Sequence, residues 1–274
     1  MTLKLYFTLK KNQCFHTIVH PRMTEPALLS SDHPFFKEIL AIPVQGILNE
    51  QGIIRRVIER GEDIRHRFLE LLNTTYLPIC RTSPAAFGRI AKQVKDPIMC
   101  EKAVHLLKVE EGLYPVVEGL PKTSHEALFT EMLQGLAARP LHSLSERGKN
   151  SLVRKLRIPT APMPVVVSYA KTIESDFAPP LANAWNDFVT QWLALTGKKS
   201  DKVNWRFIDE HRLTEGVGET QEQSGMHIDL IETMCAPYAD VLAKHYEKYR
   251  AQYHRVLCDH LDSAVASIKH LVAA

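Results

Sequence analysis

Apolar residues recur every three to four positions over most of this chain, which is the spacing of an amphipathic helix. Proline and small polar residues precede several of these segments, as is typical of helix starts. Helices are therefore predicted over residues 47–72, 83–94, 96–107, 123–138, 143–156, 178–195, 205–213 and 245–272, with a break at Gly61. Residues 214–225 are polar and contain glycine, so we expect a mobile loop there.

A few short segments are rich in β-branched and aromatic residues and predict strands. They lie near Leu3, Phe15, Ile39, Val165 and Tyr238. Together with the helices they favour a single helix-rich α/β domain, in which a short, mostly parallel sheet is flanked by helices. A helical insertion is expected at about 84–157. The alternative is a mainly α-helical domain.

Residues 227–245 interleave acids and histidines with an apolar pattern. Asp229 and Glu232 are three positions apart and share one face of a predicted helix, which Pro237 ends. The next six residues, 238–243, predict a buried strand that contains Asp240. A carboxylate in such a strand needs a metal, a cation or a hydrogen-bond donor. Two interpretations stay open: a metal or catalytic site, or acids that backbone amides satisfy.

Composition sets few limits on function. The chain has 274 residues, 45% hydrophobic and 24% charged, and a net charge of +3, which neither favours nor excludes nucleic acid. Its five cysteines show no metal-binding spacing, which favours free thiols in a reducing compartment. No apolar run has the length of a membrane span or a signal peptide, so we expect a cytoplasmic protein, unless a specialised secretion system exports it.

Five arginines follow the helical pattern of residues 47–72 on the side away from the apolar stripes. The simpler interpretation is a solvated helix face, and the alternative is a surface that contacts phosphates. These arginines are Arg55, Arg56, Arg60, Arg65 and Arg67.

The stretch of residues 229–242, DLIETMCAPYADVL, resembles the C-terminal part of PIN-like nucleases. The resemblance implies a parallel α/β sheet in which Asp229 and Asp240 hold Mg²⁺ or Mn²⁺ for phosphodiester hydrolysis. The first strand of that family ends in an aspartate, which residues 3–11 lack. Asp32, Glu38 or Glu50 would have to replace it, or the site is degenerate.

Two classes of function follow. In the first, the chain is a metal-dependent nuclease that acts on RNA rather than DNA. Asp229 and Asp240 bind the metal, and Glu232 or His227 orients water or phosphate. The basic residues Lys244, Arg250 and Arg255 then contact the nucleic-acid backbone. In the second, the chain is a non-enzymatic helical interaction module. Acid–base chemistry by His227 and His245 is a third class, without a spacing signature.

Overall fold

A computed structural model gives the fold and describes residues 33–40, 52–115, 119–214 and 226–273. Within these ranges the side chains of residues 175, 178–180, 212–214 and 226–230 are not described. The predicted strands near Leu3 and Phe15 and the predicted loop after Thr214 lie outside the described residues.

Every regular element in the described part of the chain is a helix, so the predicted α/β fold with a PIN-like sheet is wrong and the mainly helical alternative is confirmed. The described ranges contain twelve α-helices, together with two π-helical turns, Phe35–Ile39 and Ile173–Phe177, and two 3₁₀ turns, Ser200–Lys202 and Ala236–Tyr238. The helices are α1 (Ile53–Glu59), α2 (Glu62–Cys80), α3 (Thr82–Gln93), α4 (Pro97–Glu110), α5 (His125–Leu136), α6 (Glu146–Lys149), α7 (Ser151–Lys155), α8 (Met163–Thr172), α9 (Ala178–Thr196), α10 (Arg206–Thr214), α11 (Met226–Cys235) and α12 (Ala239–Ala273).

Packing overrides the local β preference in two of the predicted strands. The run of valines at 165–167 lies in α8, where all three side chains are buried because α3, α11 and α12 contact this helix. Tyr238 ends a 3₁₀ turn, and the residues after it form the first turn of α12. The predicted strand near Ile39 begins at the last residue of the helical turn Phe35–Ile39, and residues 41–44 lie outside the described part.

Most of the predicted helices are present, and several start within two residues of the predicted position. The exceptions are α12, which starts at Ala239 rather than near 245, and the predicted helix 143–156, which is divided into α6 and α7. The predicted start at 47 lies outside the described residues. Asp96 caps α4 by accepting a hydrogen bond from the Met99 amide at 2.8 Å, and Ser124 caps α5 in the same way. Gly61, at a φ of 94°, separates α1 from α2. Local capping and turn chemistry therefore determine where these helices begin.

Helix α2 lies at the centre of the packing, with α5 on one side and α12 on another. Aromatic side chains from α2, α5, α9 and α10 fill the space between them; the largest are Phe68, Tyr76, Phe129, Trp185, Phe188, Trp192 and Phe207. The rings of Tyr76 and Phe129 are 4.3 Å apart between centroids. This aromatic core forms one wall of the cavity described below.

Helices α3 and α4 form a hairpin, and α8 packs against α3 and α12. The π turn Ile173–Phe177 joins α8 directly to α9, so residues 163–196 form one continuous helical segment. A π turn holds an extra residue relative to an α-helix and changes the direction of the side chains it carries. None of the described helices is both long and apolar enough to cross a membrane.

Candidate functional site

The residues that the sequence singled out do not form a visible site. Asp240 is exposed in the first turn of α12 rather than buried in a strand. Glu232 is exposed on α11 and forms an ion pair with Lys171 at 2.5 Å. Asp229 and His227 lie on α11, but their side chains are not described. A metal shared by Asp229 and Asp240 therefore stays a prediction.

The basic residues expected to contact nucleic acid differ in their surroundings. The guanidinium group of Arg250 already has partners within the protein, since it forms ion pairs with Asp176 and Glu247. Lys244 and Arg255 are exposed on α12. His245 is also exposed, with its ring 6.0 Å from that of Tyr249. Of the three acids considered as a replacement for the missing aspartate, only Glu38 is described, and it pairs with Lys269.

A different group of ionisable side chains meets in the core, around a cavity of about 40 Å³. That volume exceeds the roughly 10–15 Å³ that one water needs and is far below the roughly 300 Å³ or more of a pocket for a drug-sized ligand. Its apolar wall includes Tyr76, Phe177 and Phe207. Its polar wall is formed by Ser83, Glu110, His125, Glu174 and His211, all of them buried.

Glu110 and His125 come from the end of α4 and the start of α5. His125 Nδ1 lies 3.0 Å from Glu110 Oε2, and both side chains are more than nine-tenths buried. Gly112 allows this approach: at its φ of 69°, a Cβ atom would lie 2.3 Å from the amide nitrogen of Ser124, which caps α5. The turn after α4 therefore requires glycine at position 112, and this turn holds Glu110 against His125.

The two ring nitrogens of His125 differ in their surroundings: Nδ1 contacts the Glu110 carboxylate, and Nε2 does not. Nε2 is buried without a hydrogen-bond partner among the described residues. His211 is anchored in a similar way, because its Nδ1 donates to the Phe207 carbonyl at 2.6 Å. The two imidazole centroids are 4.7 Å apart. An imidazole that donates from one nitrogen to a carboxylate or carbonyl is held for metal binding through the other.

Glu174 reaches the cavity from the π turn that joins α8 to α9. Its Oε1 accepts a hydrogen bond from Ser83 Oγ at 2.5 Å. π turns inside helices occur frequently at functional sites because they redirect a side chain without breaking the helix. The π turn therefore places the Glu174 carboxylate in the core.

A third carboxylate, Glu210, is 2% exposed and precedes His211 on α10. Arg206 donates to Glu210 Oε1 at 2.6 Å and forms an ion pair with it. Three buried glutamates and two buried histidines therefore lie around this part of the core. Such groups are costly to bury, and stability alone does not explain their presence.

Electrostatics within the cluster follow from these contacts. Burial lowers the pKa of His125, but the adjacent Glu110 carboxylate, with Glu210 and Glu174 further away, raises that pKa overall to about 8. Burial also holds the pKa of the Cys80 thiol well above its usual range, which excludes a thiolate nucleophile at the cavity.

The carboxylates are held by Ser83, Arg206 and His125, and no three metal-binding atoms of the cluster lie within 4.8 Å of one another. A metal would have to draw them inward. The arrangement supports two kinds of chemistry: metal binding by carboxylates and imidazoles, and proton transfer by the Glu110–His125 pair.

The sequence pattern did not lead to this cluster, although it contained one indication of it. His125 lies four positions before Phe129 on the buried face of α5, and His211 lies four positions after Phe207 on that of α10. An ionisable residue at an apolar position of a helical pattern is the signal that would have found both. Compared with known proteins, the chain matches no family model and no curated protein.

Proposed function

We propose that the chain is a metal-dependent enzyme whose centre is the buried cluster of Glu110, His125, Glu174 and His211. The observation that carries the proposal is the pair of anchored imidazoles, His125 and His211, which meet carboxylates from other helices at one cavity. Inward-facing glutamate and histidine on neighbouring helices are the ligands that helical bundles use to hold iron or manganese.

The donor set favours a first-row transition metal over magnesium. Imidazole nitrogen suits iron, zinc and related metals, whereas Mg²⁺ prefers oxygen ligands and keeps several waters. A cavity of about 40 Å³ cannot hold a hydrated Mg²⁺ ion together with a substrate. The bound metal would supply Lewis-acid or redox chemistry toward a small molecule such as water or dioxygen, while the protein residues orient it and exclude bulk solvent.

The test is metal binding by chelator-treated protein reloaded anaerobically with Fe²⁺ or with Mn²⁺. The first variant is Glu174→Gln, which keeps an oxygen to accept from Ser83 and so preserves the fold. Its matched control is Glu232→Gln, the same change at an exposed glutamate. We expect wild type and Glu232→Gln to retain metal after gel filtration and to melt at a higher temperature when loaded, and Glu174→Gln to retain one equivalent of metal less and to show a smaller rise in melting temperature.

The outcomes separate the proposal from its alternatives. Metal retention that Glu174→Gln does not change would overturn the buried centre. Retention that is lost in Glu232→Gln would instead favour the acids on α11. Absence of metal from wild type would leave the non-enzymatic helical interaction module, for which the helical fold is suited.

A second candidate function at the same cavity is metal-free acid–base catalysis. The 3.0 Å contact between Glu110 and His125 favours it, because a histidine held by a carboxylate can accept and return a proton. Activity on a substrate found by screening would then persist in chelator and be lost in His125→Gln. Activity that chelator abolishes and Fe²⁺ or Mn²⁺ restores would exclude it.

We also infer a cytoplasmic location, as expected from the sequence. The four described cysteines, Cys80, Cys100, Cys235 and Cys258, carry free thiols, which supports a reducing compartment.

A further inference from the structure

A second group of metal-binding side chains lies away from the cavity, in a surface groove beside the first half of α2. His66 and Glu70 are four positions apart on that helix and therefore lie on one face. His142 approaches them from the segment between α5 and α6. His66 Nε2 is 3.1 Å from Glu70 Oε1, and His142 Nδ1 contacts the same carboxylate oxygen.

We infer that His66, Glu70 and His142 bind a zinc-class divalent cation that fastens the segment between α5 and α6 to α2. Among the described residues these three form the one trio of histidine, cysteine or acidic side chains whose ligand atoms all lie within 4.8 Å of one another. Two imidazoles and one carboxylate are a donor set of zinc sites that keep a fourth position open for water.

The geometry needs only a small adjustment to hold the ion. Ligands at about 2.0–2.2 Å from a tetrahedral zinc lie about 3.3–3.6 Å from one another. His66 Nε2 and Glu70 Oε1 lie 3.1 Å apart, close to that spacing. His66 is fixed, because its side chain is only 9% exposed, and His142, at 85% exposed, is free to move toward it. The helix thus provides a rigid pair of ligands, and the adjacent segment provides the third.

The neighbouring contacts already hold His142 close to the helix. Asn73 on α2 donates to the His142 carbonyl at 3.3 Å, and Arg139 pairs with Asp63 at 2.8 Å. That ion pair also reduces the positive charge in the groove, where Arg67 is the other cation. A bound cation would replace the hydrogen bond between His142 and Glu70.

This site is separate from the buried centre. His66 and Tyr76, which lines the cavity, are ten positions apart on α2, or about 15 Å along the helix axis. Loss of one site therefore leaves the ligands of the other in place, and the two can be tested independently.

The experiment titrates chelator-treated full-length protein with Co²⁺, whose visible absorption reports tetrahedral coordination, followed by competition with Zn²⁺. The test variant is His142→Ala, which removes an exposed side chain and leaves the core intact. The control is His270→Ala, an exposed histidine on α12. Far-ultraviolet circular dichroism verifies that all three proteins are folded.

We expect wild type and His270→Ala to bind Co²⁺ with a tetrahedral spectrum, and His142→Ala to bind it at least about tenfold more weakly. Glu70→Gln is expected to behave like His142→Ala. Equal affinities for His142→Ala and His270→Ala would overturn the inference, and so would a wild-type protein that shows no tetrahedral spectrum. Glu174→Gln, which changes only the buried centre, should keep the Co²⁺ spectrum of this site.

Discussion

Asp240 and Glu174 show how burial decides the role of a carboxylate. Asp240 is exposed in the first turn of α12, where a negative charge interacts favourably with the amide groups at the start of the helix. Glu174 is 4% exposed and is held by Ser83. Sequence alone placed Asp240 in an apolar strand and left Glu174 unnoticed, because local pattern does not reveal which acids the fold encloses.

Asp240→Asn is therefore expected to lower the free energy of unfolding by less than about 1 kcal/mol, the usual size of an exposed helix-end charge effect. Urea unfolding of the two proteins, with and without Mn²⁺, measures the change. The metal response should be the same in both. If Asn at this position removed the response to Mn²⁺, Asp240 would be a metal ligand and the interpretation based on exposure would be wrong.

Among single elements, the turn between α4 and α5 has the largest part in positioning Glu110 against His125. Gly112 combines a φ of 69° with a close approach to the backbone of Ser124. Gly197, after α9, has nearly the same φ of 68° but no atom within 4 Å of an added Cβ. The two glycines separate the effect of backbone conformation from that of crowding.

Gly197→Ala should cost about 1–2 kcal/mol, the penalty of a left-handed conformation for a residue with a Cβ. Gly112→Ala should cost about 3 kcal/mol or more, because crowding against Ser124 adds to that penalty. Chemical denaturation provides both values. Equal costs for the two substitutions would mean that the turn relaxes, and would remove Gly112 as the residue that holds Glu110 against His125.

Sequence pattern predicted most helices because capping and spacing are local properties. Asp96, Ser124 and Gly61 mark helix boundaries through contacts within a few residues. The run of valines in α8 was misassigned because β-branched residues favour strands on average, while three neighbouring helices bury this run from all sides. The sheet that the resemblance to PIN-like nucleases implies is wrong for the same reason, since it depended on a strand at Tyr238.

Across the whole molecule, the candidate site combines residues that are distant in sequence. Glu110, His125, Glu174 and His211 come from four separate elements, and only the packing of those elements brings them to one cavity. No local spacing encodes that convergence. Ionisable residues on apolar helix faces were visible in the sequence, but the partners of each could not be assigned.

The docking of α12 on α2 should make the stability of the protein depend on pH. His260 on α12 donates through Nε2 to the Thr75 carbonyl at 2.8 Å, and burial lowers its pKa. Because the unfolded chain then binds a proton more readily than the folded protein, stability falls as the pH drops below the usual histidine pKa of about 6.5.

We expect the free energy of unfolding to fall between pH 6.5 and 5.5, and to fall less in His260→Gln, which keeps a hydrogen-bond donor but does not titrate. Urea denaturation at the two pH values measures the difference. His270→Gln, an exposed position on the same helix, is the control and should behave like wild type. The same pH dependence in His260→Gln as in wild type would contradict this role for His260.

The π turn Ile173–Phe177 also shows how the insertion or deletion of one residue would change the site. A turn of this type fits one more residue into a helix while α8 and α9 on either side keep their packing. A single-codon insertion into an unbroken helix is therefore enough to create it, without rebuilding the core. A single-codon deletion within the turn would restore regular helix between α8 and α9 and turn the Glu174 position away from the cavity.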